Sequence, residues 1–433
     1  MNQTNDVFCY KKYKNIFNNN INSNEISSTD KKQKSKVVLL KYTPFVDTKN
    51  MRNDIRNLKL PKINSNINHN NNNNNDYDIN NYDTKWLSKI PSNFSENNPK
   101  IYNSEIGFCN LGNTCFMNTC LQNLIHSEYF INTLFSKINL VTKKTPITYY
   151  FIKLCLDIIN NYNKGINVMS PSNIKEIFSS KHYDFRGFRQ HDAQEFCRIF
   201  LEDINQELNE VKVKPPYKEL STFKKSKIEC NKEFDDNFKS RENSLVIDCF
   251  YSQIINKFKC KCGFETYSFQ KILDIPLLLK KEGKKFELDD LLKTYFESEN
   301  ILFETKCEKC KEKQLHKKEM NFSQTPNILI ISLQRRNERT GRKNNCPLKY
   351  PEVLNIKKYI DEDFQNQNES EYMLYGIGNH SGDFNFGHYF AYIKLNGEKW
   401  YEFNDSRVIP FLKTNNILYS SSAYILFYKK AKK

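Results

Sequence analysis

Two hydrophobic periodicities, one following the other, constrain this chain more than any single residue does. From about residue 104 to residue 208 the apolar positions repeat as they do in helices. Met117, Leu121, Leu124 and Ile125 fall at i, i+4, i+7 and i+8, one face of a helix. Gly112-Asn113-Thr114 precede them and supply a loop and an N-cap candidate. The stretches from Tyr149 to Tyr162 and from Asp192 to Leu208 carry further helical patterns. After about Leu245 short β-rich runs take over: Ser252 to Phe258, Lys271 to Leu279, Ile328 to Leu333, Tyr372 to Ile377, His388 to Leu395, Lys399 to Phe403 and Ala423 to Tyr428. Gly, Asn and charged turns separate them. Helices first and strands later predict an α+β fold and exclude alternating βαβ units. The charged stretch from Lys212 to Lys239, interrupted by Pro215-Pro216, reads as a loop.

The first hundred residues differ from the rest. Asn recurs throughout and runs unbroken from Asn70 to Asn75, with 16 Lys/Arg against 9 Asp/Glu. Such a stretch buries too little apolar surface to offset its ordering entropy. Residues 1–100 are therefore expected to be a disordered, Asn-rich extension, with order beginning near Ile101. One apolar island, Lys36 to Phe45, could dock as a strand. Across all 433 residues the net charge is +16, from 66 Lys/Arg and 50 Asp/Glu. That balance invites a nucleic-acid or acidic-membrane partner. Yet the basic residues are scattered, not clustered with aromatics on one element, and no nucleic-acid partner is expected. No run of roughly 18 apolar residues is present, so no transmembrane helix is expected. Met1 to Tyr10 lack the apolar core of a secretory signal. Thirteen cysteines in such a chain are free thiols, metal ligands or a nucleophile in a reducing compartment, cytoplasmic or nuclear.

Cys115 sits where the loop enters the first helix. Helix N-terminal amides favour thiolate over thiol, so a cysteine there is a candidate nucleophile. It needs a base, and something to hold the base. His388 opens a strand after a Gly-rich turn, and Asn404 and Asp405 close the next strand. Adjacent antiparallel strands would bring those ends together, and Cys…His…Asn is a known thiol-hydrolase order. Taken singly, Cys115 could be a small buried hydrophobe and His388 a structural histidine. His126 and His380 keep that plain reading, and Cys120 reads as packing.

The block Gly107-Phe108-Cys109-Asn110-Leu111-Gly112-Asn113-Thr114-Cys115-Phe116-Met117-Asn118 resembles the Cys box of the ubiquitin-specific proteases. Arg189-Gln190-His191-Asp192-Ala193-Gln194-Glu195-Phe196 resembles their second signature. Tyr372 to Ile393, followed by Trp400 to Val408, is similar to their His box. The resemblance covers roughly residues 104–430. It implies a papain-like cysteine protease with a helical thumb (about 104–215) and a β palm with zinc-tipped β fingers (about 245–430), a catalytic domain spanning about 101–430. By position Cys115 is the nucleophile, His388 the general base and Asn404 the third member. Asp405 would add the charge that an amide lacks. Asn110 takes the oxyanion-hole position, beside the Cys115 backbone N–H. Asp192 and Glu195 match positions that in the family pair with the arginines of ubiquitin's basic tail. The reaction implied is thiol-dependent hydrolysis after the terminal glycine of ubiquitin, with ubiquitin and ubiquitinated proteins as partners and no cofactor needed for catalysis.

Cys260, Cys262, Cys307 and Cys310 form two pairs about 45 residues apart. Two such pairs on hairpin turns suit a structural zinc ion, which takes four thiolates tetrahedrally. Cys307-Glu308-Lys309-Cys310 has the usual C-x-x-C spacing. Cys260-Lys261-Cys262 is one residue short, and counting back from Ile275-Pro276-Leu277 places the contraction between the pair. Cys249, within an apolar run, reads as core. Three other readings compete. A catalytically impaired ubiquitin-binding module would not need Cys115, His388, Asn404 and Asn110 together. A basic zinc-containing nucleic-acid binder lacks its aromatic–basic cluster. A secreted papain-like protease lacks its signal.

Overall fold

The computed structural model describes residues 84–431 except 221–224, 280–284, 298, 301–304, 315, 337–340, 384–385 and 412–416. The apolar island at 36–45 and the extension up to residue 83 lie outside the described residues. Seven helices precede most of the sheet: α1 (Cys115–Ile125), α2 (Glu128–Ser136), α3 (Pro146–Asn163), α4 (Ser172–Lys181), α5 (Ala193–Glu207), α6 (Lys227–Lys239) and α7 (Leu245–Phe250). Two short parallel strands, β1 (Gly107–Phe108) and β2 (Val168–Met169), tie the entry of α1 to the loop after α3. Then come β3 (Ser252–Lys259), β4 (Glu265–Ile272), β5 (Asp274–Leu278), α8 (Leu288–Phe296), β6 (Thr305–Lys306), β7 (Lys313–Gln314), β8 (Lys317–Gln324), β9 (Ile328–Gln334), β10 (Val353–Asn355), β11 (Glu371–Gly382), β12 (Gly387–Leu395), β13 (Lys399–Asn404), β14 (Arg407–Pro410) and β15 (Ala423–Lys430). Helices first and sheet later is the expected α+β order.

The main sheet runs β14-β13-β12-β11-β15-β9-β5, with β10 also on β11. All its pairs are antiparallel except β9 with β5. Its central strands read as unbroken apolar runs because both faces are covered. Along β9, Ile328 and Ile330 join the core shared with the helices, while Leu329, Ile331 and Leu333 join the core on the opposite face. Along β15, Ile425 and Phe427 face the helices, and Leu426 and Tyr428 face away. This is the two-residue period of a strand.

The cysteine-tipped sheet has order β4-β3-β8, with the short strand Glu299–Asn300 beyond β8. It grows out of the main one: the chain passes from β4 into β5 across Leu273, and from β8 into β9 across three residues. The run from Lys271 to Leu279 is thus two strands in two sheets.

Two expectations change. Residues 84–100, assigned above to the extension, form 3-10 turns, Lys85–Lys89 among them. Leu87 is 3% exposed there, and Phe94 stacks on Phe135. The apolar residues Trp86, Leu87, Ile90 and Phe94 join the helical core despite the Asn-rich context. The stretch from Lys212 to Lys239 is also not all loop, since α6 begins at Lys227. Ser226 and Glu229 form a reciprocal capping box, with the Ser226 hydroxyl accepting from Glu229 N–H at 3.2 Å and the Glu229 carboxylate accepting from Ser226 N–H at 2.8 Å. Cys230 is buried, and Phe234 packs on Phe269. The charge content hid an S-x-x-E start signal.

Helix α1 shows more than its predicted stripe. All eleven of its residues are buried, because it is wedged between β11 and β12 on one side and α5 on the other. Gly376 on β11 permits this close approach, since a Cβ there would lie 2.2 Å from Asn123 Oδ1. The amide nitrogens of the buried side chains find acceptors: Gln122 donates to the Ile106 carbonyl at 2.9 Å and Asn123 to the Thr119 carbonyl at 2.8 Å.

The packing of the 84–100 turns gives a direct test. Leu87→Ala is expected to destabilise the fold by about 2–5 kcal/mol through the cavity it leaves, read as a lower urea midpoint with an unchanged slope. A midpoint equal to that of the parent would mean that this segment does not belong to the folded unit.

Candidate active site

Three segments meet at the mouth of α1. The first is the loop Asn110–Thr114, held from within. Asn110 Oδ1 accepts from the backbone N–H of Gly112 at 3.0 Å and of Thr114 at 3.1 Å. Thr114 occupies the N-cap position, but its hydroxyl accepts from Leu111 N–H at 2.8 Å and makes no cap bond to the helix. Cys115 opens the helix and is 3% exposed. Its N–H belongs to the first turn, where backbone donors have no intrahelical acceptor.

The second segment is the β12–β13 hairpin. The pair Ala391–Phe403, extended by one residue, sets Asn404 beside Phe390 and so on the same face as His388. His388 Nε2 lies 2.7 Å from Asn404 Oδ1. Its other ring nitrogen is thereby left for the Cys115 side chain, which lies close enough to act on the ring. Asn404 Nδ2 in turn donates to Glu402 at 3.2 Å. These contacts push the His388 imidazole up to about 9. The Cys115 bond is the largest cause; burial opposes it, and Asn404 and the nearby Asp405 charge add to it.

The third segment is the Asp405-Ser406 turn between β13 and β14. Asp405 has φ 50°, the left-handed region that Asp tolerates better than most residues. Its Oδ2 lies 4.0 Å from His388 Nε2 and accepts from Asn110 Nδ2 at 2.9 Å, while its Oδ1 accepts from Asn118 Nδ2 at 2.8 Å. The Asp405 carbonyl accepts from Phe108 N–H at 2.8 Å. Gly107 makes this approach possible, because a Cβ there would stand 2.6 Å from the Ser406 backbone. Asn110 is thus placed at the helix mouth with one N–H on Asp405 and the other remaining for a ligand.

The two neighbouring histidines titrate apart. Burial, then Lys343 and His388, lower His380 to about 4, so it is neutral where His388 is charged. His126 is buried, with its ring nitrogens 2.7 Å from the Gln122 carbonyl and 3.1 Å from the Ser104 carbonyl. Both fit their structural reading.

Asp192 and Glu195 lie at the start of α5. Asp192 is its N-cap, with Oδ1 accepting from Gln194 N–H at 2.7 Å and from Glu195 N–H at 3.2 Å, and Oδ2 accepting from the Tyr424 hydroxyl. Glu195 is exposed, and desolvation with the charges of Asp192 and Asp184 raises its carboxyl. Asp192 is therefore tied into the fold, whereas Glu195 is open to a ligand. Sequence reading missed Gln190, whose side-chain amide both donates to the Gly387 carbonyl at 3.0 Å and accepts from its N–H at 3.2 Å, pinning the residue before His388. It also missed Asn118 and Glu402. Asn118 had a signal, since it follows Cys115 by three residues and lies on the same side of α1.

At the far end of the β3–β4 hairpin, the sulfurs of Cys260, Cys262, Cys307 and Cys310 all lie within 4.8 Å of one another. Cys260 to Cys310 is 3.8 Å and Cys262 to Cys307 is 3.7 Å. A tetrahedron with Zn–S of about 2.3 Å has edges of about 3.8 Å. The four cysteines fit a structural zinc site, and the C-x-C spacing does not prevent it. Among the described residues they are the only such cluster of possible metal ligands, and no helix is long and apolar enough to cross a membrane. Cys120 and Cys249 are buried core residues.

The profile of the family described as ubiquitin carboxyl-terminal hydrolase matches residues 106–428. The chain belongs to the ubiquitin carboxyl-terminal hydrolase family. It is 31% identical over 343 residues to ubiquitin carboxyl-terminal hydrolase Usp2 of Drosophila melanogaster, covering 75% of this chain and 34% of that protein. It is 31% identical over 349 residues to ubiquitin carboxyl-terminal hydrolase 2 of Gallus gallus, covering 77% of this chain and 95% of that one. For ubiquitin carboxyl-terminal hydrolase 2 of Homo sapiens the identity is 30%, over 75% of this chain and 55% of that protein. The chain thus spans between a third and about half the length of several of these hydrolases. Among solved structures, the SAGA DUB module of Ubp8, Sgf11, Sus1 and Sgf73 bound to monoubiquitin aligns with a TM-score of 0.62 at 23% identity, over 77% of this chain and 70% of that one. The module bound to ubiquitin aldehyde gives 0.61 at 24%, over 77% and 71%. The fold is that of a ubiquitin-specific protease, with helices, a β sheet and a cysteine-tipped β extension.

The pKa of His388 tests the pairing. Its folded value stands above the ordinary 6.5, so the stabilisation it reports is complete below about pH 6.5 and is lost as pH rises through about 9. NMR titration of the ring is expected to give a midpoint near 9 in the parent and a clearly lower one in Cys115→Ser. Equal midpoints would show that the cysteine does not hold the imidazolium.

Proposed function

We propose that the protein is a cysteine-type ubiquitinyl hydrolase, cleaving the isopeptide or peptide bond after the C-terminal glycine of ubiquitin. One observation carries the reading: the His388 imidazole is shared between Cys115 at a helix mouth and Asn404, with the Asp405 carboxylate behind it. Membership of the family supports it, as do the ubiquitin and ubiquitin aldehyde in the aligned structures. In this reading the Cys115 thiolate attacks the glycine carbonyl, and its carbon becomes tetrahedral. The Cys115 N–H and the free N–H of Asn110 receive the oxyanion; one such donor typically contributes ~10²–10³ in rate. His388 gives its proton to the departing amine, leaving a thioester. The neutral imidazole then takes a proton from water as the water attacks, and the thiolate leaves. Asn404 orients the ring, and Asp405 offsets the charge of its protonated form.

Glu195 offers an exposed carboxylate, with Asp192 and Asp184 close enough to act on it, on the surface of a chain whose net charge is +16. That carboxylate suits the arginines of ubiquitin's tail, so the basic composition needs no nucleic-acid partner. We take the catalytic domain as about 101–430, with the turns of 84–100 added to its start. No described cysteine is in a disulfide, which favours a cytoplasmic or nuclear location.

A ubiquitin probe carrying a C-terminal electrophile is expected to label the protein at Cys115. Cys115→Ala should abolish labelling, and His388→Ala should lose turnover while keeping ubiquitin affinity. Labelling that persists at another residue in Cys115→Ala would overturn the assignment.

A further inference from the structure

Each half of the cysteine cluster is a turn whose backbone N–H groups face sulfur. In the C-x-x-C half, the backbone N–H groups of Lys309 and Cys310 lie near Cys307 Sγ, and that of Glu312 lies near Cys310 Sγ, close enough to act on their titration. The turn closes by bonds from Cys307 N–H to the Glu312 carbonyl and from Lys311 N–H to the Cys307 carbonyl, both 3.0 Å. The C-x-C half closes in the same way, from Cys260 N–H to the Phe264 carbonyl and from Gly263 N–H to the Cys260 carbonyl, both 2.9 Å. One residue is missing between its cysteines, and a backbone donor is missing with it. Cys260 Sγ receives a single, long backbone bond, from Cys262 N–H at 3.5 Å.

A side chain stands where the second donor would be. Gln314 on β7 points its amide nitrogen at Cys260 Sγ, 2.7 Å away, and reaches Cys310 Sγ at 3.3 Å. It is 9% exposed. The opposite amide orientation would set a carbonyl oxygen against sulfurs that are anionic when a metal is bound, so the nitrogen faces inward. Four thiolates around one divalent cation leave a net charge of −2, and N–H groups directed at sulfur stabilise that charge where few waters reach it.

We propose that Gln314 is a positioning residue for the zinc site, its side-chain amide replacing the backbone hydrogen bond that the contracted Cys260-Lys261-Cys262 turn cannot make. It touches two ligands from opposite halves, so it also fixes the spacing between the two turns. The proposal concerns the fingers alone and does not depend on the reaction at Cys115.

The test uses the full chain and two readouts separate from hydrolysis. Zinc affinity is measured by competition with a chelating dye. The sulfur-to-metal charge-transfer band is recorded after Co²⁺ substitution. Gln314→Leu keeps the volume and removes the donor. It is expected to bind zinc about ten- to a hundredfold more weakly and to move the Co²⁺ band to longer wavelength, because a sulfur that loses an N–H donor releases charge more readily. Gln314→Met carries the same two readouts if the leucine variant does not fold. The proposal requires both changes. Unaltered affinity, or a loss of affinity with the band unmoved, would give Gln314 a mere packing role and overturn it. So would less than half an equivalent of zinc on the parent chain.

Discussion

The carboxylate of Asp405 joins the two halves of this molecule at the point where chemistry is expected. Asn110 from the loop before α1 and Asn118 from within α1 both donate to it, and Phe108 N–H donates to its carbonyl. All three donors belong to the helical side; the acceptor belongs to a β hairpin nearly 300 residues later. The same carboxylate lies 4.0 Å from His388. One residue therefore ties the loop that leads to Cys115 to the turn beside His388 and also brings negative charge to within 4.0 Å of that ring. Two constraints permit it: a left-handed residue at 405 and a glycine at 107, where any Cβ would strike the turn.

The rest of the architecture serves this junction. The central strands of the main sheet are buried on both faces, and β12 alternates buried with half-buried positions, so the register is strongly specified: slipping by one residue would exchange the two faces. That register is what puts Asn404 on the face of His388. Gln190 ties the residue before His388 to the start of α5, so the strand is held from the helical side as well. The cysteine-tipped sheet is continuous with the main one through β4–β5 and β8–β9.

Much of this was legible in the sequence because it is written locally. Cys115 at a helix mouth, the strand-end placement of His388 and Asn404, and the paired cysteines all follow from spacing and periodicity. What was not legible is long-range. Asn110 was matched to the oxyanion-hole position, and nothing in the sequence near it points to its partner Asp405, 295 positions away. Asp192 was matched with Glu195 to arginine-pairing positions, and the sequence did not show that it also caps α5 and accepts a hydrogen bond from Tyr424. Composition also misled in two places. High charge obscured α6, although the Ser226–Glu229 capping box was present, and an Asn-rich context obscured the four apolar residues that pack the 84–100 turns.

The central claim is that Asp405 sustains the charged state of the Cys115–His388 pair. It is tested most directly by the rate at which iodoacetamide alkylates Cys115 at neutral pH, with the site established by peptide mapping, in the parent and in Asp405→Ala. The account predicts a rate lower by about tenfold or more in the variant, the equivalent of one pKa unit of lost charge support. An equal rate in a variant that remains folded would show that the pair stands without Asp405 and would contradict the account.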